Sequence, residues 1–383
     1  MKLKIFIRHL IRNLNLYLNL ILLFVHLNGC ASLAEKYISE GLLLYDSSQY
    51  KEAEEKFLLA ITEDSVSENG FFHLGRTRSR LQNYRQALED FSKAIEINPE
   101  NPNAYLNRAI IYIQLEEKQK SLQDLNKSID LNNQNYTAYF NRGYIKTELG
   151  DFDGAIGDYD NAIKLNPKDN KAYVNRGNVK GLIKDHAGAI EDFSQAILLD
   201  STNPQAYVSR ANEKILLEHY EEAINDYTKA ISLDPNDFEL YLLRGEIYSK
   251  LEKLNESLDD FLQVLKSDPK NIAALMLRGD VKTKLKKNSE AINDYSSVIK
   301  LDSKNSSAYF KRGRLLVETK KYDAAVKDFS EMIKLNPKDA KAYHSRGLAK
   351  IKLKKKKDAC ADLKKAGELG LFEAYADIQK YCK

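Results

Sequence analysis

Side chains that could carry catalytic or metal chemistry are few and scattered in this sequence. No two histidines stand at a spacing that would place both on one helical face as metal ligands, the six being His9, His26, His73, His186, His219 and His344. The acidic stretch DFDGAIGDYD (151–160) lacks the alternating ligands and the terminal Glu of a calcium loop. No glycine loop that could cradle a phosphate and no nucleophile elbow occurs. The sequence therefore predicts a protein that is not an enzyme, with no metal site and no cofactor.

The most regular charged residues form two columns of opposite sign. The arginines recur at a constant interval, at Arg108, Arg142, Arg176, Arg210, Arg244, Arg278, Arg312 and Arg346. The aspartates recur at the same interval, at Asp90, Asp124, Asp158, Asp192, Asp226, Asp260, Asp294, Asp328 and Asp362. If a helical hairpin folds between them, each Arg faces the Asp sixteen residues later, and the reversed pair Glu40 and Lys56 fits the same geometry.

We interpret these columns as structural ion pairs, which Lys residues one turn after several of the arginines would extend. The pairs predicted within a repeat include Arg142 with Asp158, Arg176 with Asp192 and Arg210 with Asp226. Pairing of each Asp with the Arg of the following repeat is the alternative, and the sequence leaves it open.

The whole chain repeats with the period of these charges. YLNRA at Tyr105, YFNRG at Tyr139 and YVNRG at Tyr173 are near-copies. A small residue follows in phase without insertion or deletion, at Gly41, Gly75, Ala109, Gly143, Gly177, Ala211, Gly245, Gly279, Gly313 and Gly347. A strict period of this length is typical of a stacked-repeat architecture.

Each repeat has the apolar pattern of two helices joined by a short polar turn. A second column of Ala or Ser, from Ala53 to Ala359, would let the two helices approach closely, and bulky residues such as Phe91 and Tyr159 would fill the space beside it. All seven prolines fall where one hairpin passes to the next, so none interrupts a predicted helix.

In its period, its Gly/Ala, aromatic and Ala columns and its terminal Pro, the chain resembles tetratricopeptide repeat proteins. The resemblance implies an all-α fold, a right-handed α-solenoid of about ten 34-residue helix hairpins with a C-terminal capping helix. The repeats would span 34–373, starting near 34, 68, 102, 136, 170, 204, 238, 272, 306 and 340, and 374–383 would end the capping helix.

The first 29 residues do not share the repeat pattern, and their composition is typical of a secretory signal peptide. Four basic residues precede an apolar stretch at about 14–27, and LNGC ends at Cys30. This stretch resembles the lipobox of bacterial lipoproteins, in which the Cys becomes the lipid-bearing first residue. We therefore predict lipidation of Cys30; an ordinary cleaved signal and an uncleaved anchor are the alternatives, although the run is short for a spanning helix.

Charge excludes nucleic acid as the expected partner. Of the 59 Lys and Arg residues four lie in the signal, which leaves 55 against 55 Asp and Glu, so the mature chain has no net basic footprint. The charge is nevertheless uneven, because 35–68 carries nine acids and three bases whereas 340–383 carries twelve bases and five acids. Either these charges form solvated surfaces without a binding role, or the basic C-terminal end is a binding surface for an acidic partner.

The resemblance also implies a binding surface on the inner, concave face of the first helices. By that resemblance the groove is lined by Phe72, Leu106, Ile110, Ile113, Phe140, Tyr144, Val174, Asn178, Val208, Asn212, Leu242, Glu246, Met276 and Phe310. We expect a non-catalytic protein–protein interaction scaffold of the bacterial cell envelope that binds an extended peptide or a helix there. A periplasmic receptor for glycan or cell-wall fragments is the alternative.

Two further expectations concern the ends of the mature chain. Three residues separate Cys30 from the first repeat, so the lipid would hold the solenoid against the membrane, facing the periplasm; the lack of Asp after Cys30 favours the outer membrane over the inner. In an exported protein Cys360 and Cys382 remain as a pair, and a capping helix that folds back would bring them together as a disulfide. Two unpaired cysteines are the alternative.

Overall fold

The structure, a computed structural model, describes residues 33–383, so the expectations for the signal peptide and for Cys30 lie outside the described residues. Within 33–383 every regular element is an α-helix, and the two helices of each hairpin pack together across a short turn. The predicted all-α fold of stacked helix hairpins is confirmed. The chain separates into two compact units, with the boundary after Asp200.

The described part of the first unit, residues 33–200, contains five hairpins. Its helices are α1 (33–46), α2 (Tyr50–Glu63), α3 (Glu68–Arg80), α4 (Tyr84–Ile97), α5 (Pro102–Gln114), α6 (Lys118–Leu131), α7 (Tyr136–Leu149), α8 (Phe152–Leu165), α9 (Asn170–Leu182) and α10 (His186–Leu199). The odd-numbered helix of each hairpin is called its A helix and the even-numbered one its B helix.

The second unit contains five more hairpins and a terminal helix. Its helices are α11 (Pro204–Leu216), α12 (Tyr220–Leu233), α13 (Phe238–Lys250), α14 (Leu254–Ser267), α15 (Ile272–Lys284), α16 (Asn288–Leu301), α17 (Ser306–Glu318), α18 (Tyr322–Leu335), α19 (Ala340–Lys352), α20 (Lys356–Glu368) and α21 (Glu373–Tyr381). The short helix α21 packs against α20.

In seven of the ten described hairpins the A and B helices meet through a glycine on the A helix and an aromatic ring on the B helix. A Cβ atom placed on Gly143 would lie 3.0 Å from the ring of Tyr159, and one on Gly279 would lie 2.6 Å from the ring of Tyr295. Both rings are almost fully buried. Because no side chain fits between backbone and ring, the glycine column fixes how closely the helices approach.

Each A helix from α3 to α19 begins at a side chain that caps it. Asn135 accepts a hydrogen bond from the backbone N–H of Ala138, and Asp339 does the same for Ala342. The capping positions recur once in each repeat from the second to the tenth, at Ser67, Asn101, Asn135, Asp169, Asn203, Asp237, Asn271, Asn305 and Asp339. Such caps satisfy backbone donors that an isolated helix end leaves unpaired. They therefore set the start of these nine hairpins at the same place in the repeat.

Candidate binding surface

In the first unit the residues expected to line a groove lie on one face of the A helices. Phe72 lies on α3, Leu106, Ile110 and Ile113 lie on α5, Phe140 and Tyr144 lie on α7, and Val174 and Asn178 lie on α9. This set is called the A-helix face of the first unit. Its members differ in what they contact, and the structure separates them into two groups.

The first group is engaged in packing within its own hairpin. The ring of Phe72 lies 6.0 Å from that of Phe91, and the ring of Phe140 lies 6.0 Å from that of Tyr159, measured between centroids. Leu106 is only 7% exposed and belongs to the core of α5 and α6. These side chains support the surface more than they form it.

The second group is open to solvent. Tyr144 is 42% exposed, and Asn178 on the next A helix is exposed as well. Tyr144 borders a hollow of about 420 Å³ that Ile113 and Glu148 also line. A large, half-exposed aromatic side chain beside a hollow is the kind of residue that anchors a bound partner.

In the second unit the expected residues also lie on A helices. Val208 and Asn212 lie on α11, Leu242 and Glu246 on α13, Met276 on α15 and Phe310 on α17. Leu242 and Met276 pack into the core around α14 and α15, and the ring of Phe310 lies 6.4 Å from that of Phe329. Asn212, like Glu246, is exposed.

Buried tyrosines of two B helices present their hydroxyl groups to A helices of the second unit. Tyr227 donates a hydrogen bond to Asn212 at 2.5 Å, and Tyr295 donates one to Asp280 at 2.8 Å. Burial raises the pKa of Tyr227 to about 12, so the phenol remains a hydrogen-bond donor even at moderately alkaline pH. Sequence reasoning missed these two hydrogen bonds. The sequence indicates them only by a Tyr in the B-helix column where several other repeats carry Phe.

Asp280 also accepts two hydrogen bonds from the Lys311 ammonium, at 2.7 and 2.6 Å. The pair borders a hollow of about 190 Å³, which Arg314 also lines. Arg314 borders a second, apolar hollow of about 320 Å³, together with Phe329 and Leu348. Sequence reasoning singled out neither Asp280, Lys311 nor Arg314, because their types vary from repeat to repeat.

The charged columns form hydrogen-bonded ion pairs within each hairpin. Arg142 donates from Nε and Nη2 to Asp158 at 2.9 and 2.6 Å, and Arg210 donates to Asp226 at 2.9 and 2.6 Å. Both carboxylates are buried. The geometry thus selects pairing within the repeat, with the Asp sixteen residues after the Arg.

The remaining nitrogen of several of these arginines reaches the B helix of the preceding hairpin. Arg142 donates from Nη1 to Asn126 at 2.9 Å, and Arg176 donates from Nη1 to Asp160 at 2.5 Å. Although burial acts against the charge, hydrogen bonds to Asp192 and then Asp160 raise the pKa of Arg176. Each such arginine therefore joins two hairpins as well as two helices.

Repeats one and two depart from this pattern. Lys56 donates to Glu40 at 2.6 Å, which is the reversed pair. In repeat two Leu74 stands in the arginine column, and Arg78, one turn later, holds Asp90 at 2.9 Å instead.

At the C-terminus the sulfurs of Cys360, in α20, and Cys382, just after α21, are bonded, with their Cα atoms 5.7 Å apart. Formation of this bond in the exported protein stays a prediction. Among residues 33–383 no group of three or more His, Cys, Asp or Glu is arranged to hold a metal ion. No helix of that same range combines the length and apolar character that a membrane crossing requires.

Comparisons with known proteins bear on the fold and the family. Among solved structures, the chain is similar to the C-terminal part of a TPR repeat-containing protein from Cytophaga hutchinsonii. The TM-score is 0.57 and the sequence identity is 18%, and the match covers 63% of this chain and 98% of that one. YrrB, described as a TPR protein with an unusual peptide-binding site, has a TM-score of 0.44 and 21% identity, covering 49% and 97%. Yeast Tom70 has a TM-score of 0.39 and 15% identity, covering 91% and 95%.

A comparison with curated proteins finds no match. Family models of the tetratricopeptide repeat do match, and together they cover more than half of the chain. Models described as TPR repeat match 75–116, 211–252 and 279–319, and models described as tetratricopeptide repeat match 102–135, 136–169, 171–203, 238–271 and 306–339. The five tetratricopeptide-repeat matches each cover one A/B hairpin of the structure, whereas the three TPR-repeat matches begin within one A helix and end after the next. The chain belongs to the tetratricopeptide repeat proteins.

Proposed function

We propose that this protein is a non-catalytic scaffold that binds an extended peptide or a helix of a partner protein on its A-helix face. The observation that carries the proposal is the exposure of Tyr144 beside a hollow, on a face whose other aromatic residues are held rigidly by packing. A rigid surface that presents an aromatic anchor binds at a low cost in conformational entropy.

We further propose that the scaffold works in the bacterial cell envelope, attached through lipid on Cys30 and facing the periplasm from the outer membrane. The sequence supports this through the basic and apolar start of the chain and through LNGC at 27–30. Only Ala31, Ser32 and Leu33 separate Cys30 from the first repeat in the sequence, which would make the tether short. More than one acyl chain is needed for durable attachment to a membrane.

Two variants test the binding surface. Tyr144→Ala removes the exposed anchor, whereas Lys164→Ala changes an exposed residue of the B helix α8 in the same hairpin. We expect affinity capture from an envelope extract to recover a specific protein with the wild type and with Lys164→Ala, and to lose it with Tyr144→Ala. Equal recovery with all three would contradict binding on this face.

Phe140 is a poorer choice for this test. Its ring packs against Tyr159 in the hairpin core, so Phe140→Ala would weaken the fold as well as the surface. Attachment is tested separately: Cys30→Ser should move the protein from the detergent phase to the aqueous phase, and its retention in detergent would exclude lipidation of that residue.

A further inference from the structure

Two arginines on α3 differ from the arginines of the recurring column. Column arginines such as Arg108 and Arg142 hold a buried aspartate through two hydrogen bonds, whereas Arg76 and Arg80 form no ion pair with any carboxylate of residues 33–383. Arg78, which lies between them in the sequence, is occupied by Glu54 and Asp90. Two guanidinium groups without an anion are therefore left on one helix.

Arg76 and Arg80 border the same hollow, which has a volume of about 430 Å³. Its wall includes Tyr45, Tyr84 and Ile110, and it also includes amide side chains on α5. Of the described residues that line the hollow, none is acidic. The hollow thus combines two positive charges with aromatic and aliphatic surface, and it includes Ile110 of the A-helix face.

Tyr45 holds both guanidinium groups in place. The Arg76 guanidinium lies over the Tyr45 ring, 4.7 Å from its centroid, and Arg80 donates from Nε to the Tyr45 hydroxyl at 3.2 Å. A stacked guanidinium keeps its N–H groups free at the edge, where a carboxylate can accept two of them. Because the groups are already oriented, binding an anion there costs less ordering.

In the part of the chain that the structure describes, the titratable groups lining the hollow, and His73 beside it, carry no negative charge. His73 lies beside Arg76, with 3.4 Å between its Nδ1 and Nη1 of Arg76. Burial, and then the charge of Arg76, lower the pKa of His73 to about 4, so the imidazole is neutral at physiological pH. The other titratable groups facing the hollow are the phenols of Tyr45 and Tyr84 and the side chains of Arg76 and Arg80.

We propose that this hollow is a binding site for a carboxylate side chain of the partner segment, flanked by an apolar residue that contacts Ile110 and Tyr84. The inference rests on the proposed function, since it names the chemistry that the peptide must carry. Arginine forks bind carboxylates through paired, charge-assisted hydrogen bonds, which give geometric specificity as well as affinity. A site of this kind selects an acidic residue at one position of an extended peptide.

The test begins with random peptides displayed on phage and selected on the purified chain, followed by fluorescence anisotropy of an enriched synthetic peptide. We expect the enriched peptides to share an acidic residue next to an apolar one. Arg76→Gln and Arg80→Gln should each weaken binding about tenfold or more, as should replacement of the peptide's acidic residue by its amide. Arg85→Gln, at an exposed position of α4, should leave the affinity unchanged.

Arg80→Gln changes an exposed side chain, so it separates a binding defect from a folding defect in Arg76→Gln. A peptide whose affinity depends on Tyr144 but not on Arg76 or Arg80 would overturn this inference and leave the proposed function standing. Failure to enrich any peptide would overturn both. Tighter binding when phosphoserine replaces the acidic residue would assign the site to phosphate and overturn the carboxylate assignment.

Discussion

The substitution Asp192→Asn tests how much the repeated ion pairs contribute to stability. Asp192 is 2% exposed and accepts hydrogen bonds from Arg176 at 2.9 and 2.5 Å, and the Lys180 ammonium lies 2.9 Å from its second oxygen. In Asp192→Asn the neutral amide would leave the positive charges of Arg176 and Lys180 without the carboxylate that pairs with both. Breaking a buried pair in this way costs about 3 to 5 kcal/mol in the free energy of unfolding.

The lower end of that range applies here. The side chains of Arg176 and Lys180 are 17% and 18% exposed, so water reaches both, and Arg176 keeps its contact with Asp160. We therefore expect Asp192→Asn to lower the free energy of unfolding by about 3 kcal/mol. The matched control is Glu148→Gln, which breaks the solvent-exposed pair with Lys118 in the same unit and should cost about 0.5 kcal/mol.

Urea unfolding followed by far-UV circular dichroism measures both variants, with the slope against urea checked for constancy. A further variant combines Arg176→Met, Lys180→Met and Asp192→Leu, and we expect it to recover most of the loss because no buried charge is left uncompensated. If Asp192→Asn costs no more than Glu148→Gln, the carboxylate is solvated in solution and the reasoning from burial is wrong.

Three other expectations follow from single contacts. Among the described residues 33–383 the buried hydroxyl of Ser121 finds no hydrogen-bond partner, whereas Ser257 donates a hydrogen bond to the Gly245 carbonyl at 2.7 Å. Ser121→Ala should therefore raise the free energy of unfolding by about 1 kcal/mol and Ser257→Ala should lower it by a similar amount, and equal effects would contradict this. Burial raises the pKa of Asp90 from 3.8 to about 6, so the folded state binds the extra proton and stability should fall as pH rises through that window. In Asp90→Asn, unfolding measured across the same window should lack this fall, and an unchanged pH profile would contradict the assignment. Mass spectrometry of exported, non-reduced protein should find Cys360 linked to Cys382, against which two freely alkylated thiols would count.

The fold could be predicted from the sequence because its determinants are local and periodic. Most repeats carry a glycine followed sixteen positions later by an aromatic residue, and this pattern is enough to predict two closely packed helices. The rings of Tyr159 and Tyr295 lie against Gly143 and Gly279 as expected. The conformation of the turns between helices was harder to predict from the sequence. Lys184 and Glu218 adopt positive φ values of 67° and 61° in these turns, and neither residue type indicates such a conformation. At the equivalent turn Gly150 does indicate it, because glycine adopts positive φ readily.

The candidate surface was predicted only in outline. Phe140 and Tyr144 are one helical turn apart and both aromatic, so the pattern could not tell that one packs inward and the other is exposed. The pocket at Arg76 and Arg80 depends on Tyr45 of the preceding hairpin, whose ring and hydroxyl orient both arginines. Contacts between repeats of this kind rely on residues that vary along the chain, and no period reveals them.

Photo-cross-linking in cells tests the central claim of partner binding on the A-helix face most directly. A photoreactive phenylalanine analogue replaces Tyr144 on α7 in one strain and Lys164 on α8 in another, both at exposed positions of the same hairpin. We predict a discrete cross-linked protein from position 144 and none from position 164. Cross-linking from position 164 alone, or no adduct from position 144, would contradict the claim that this face binds the partner.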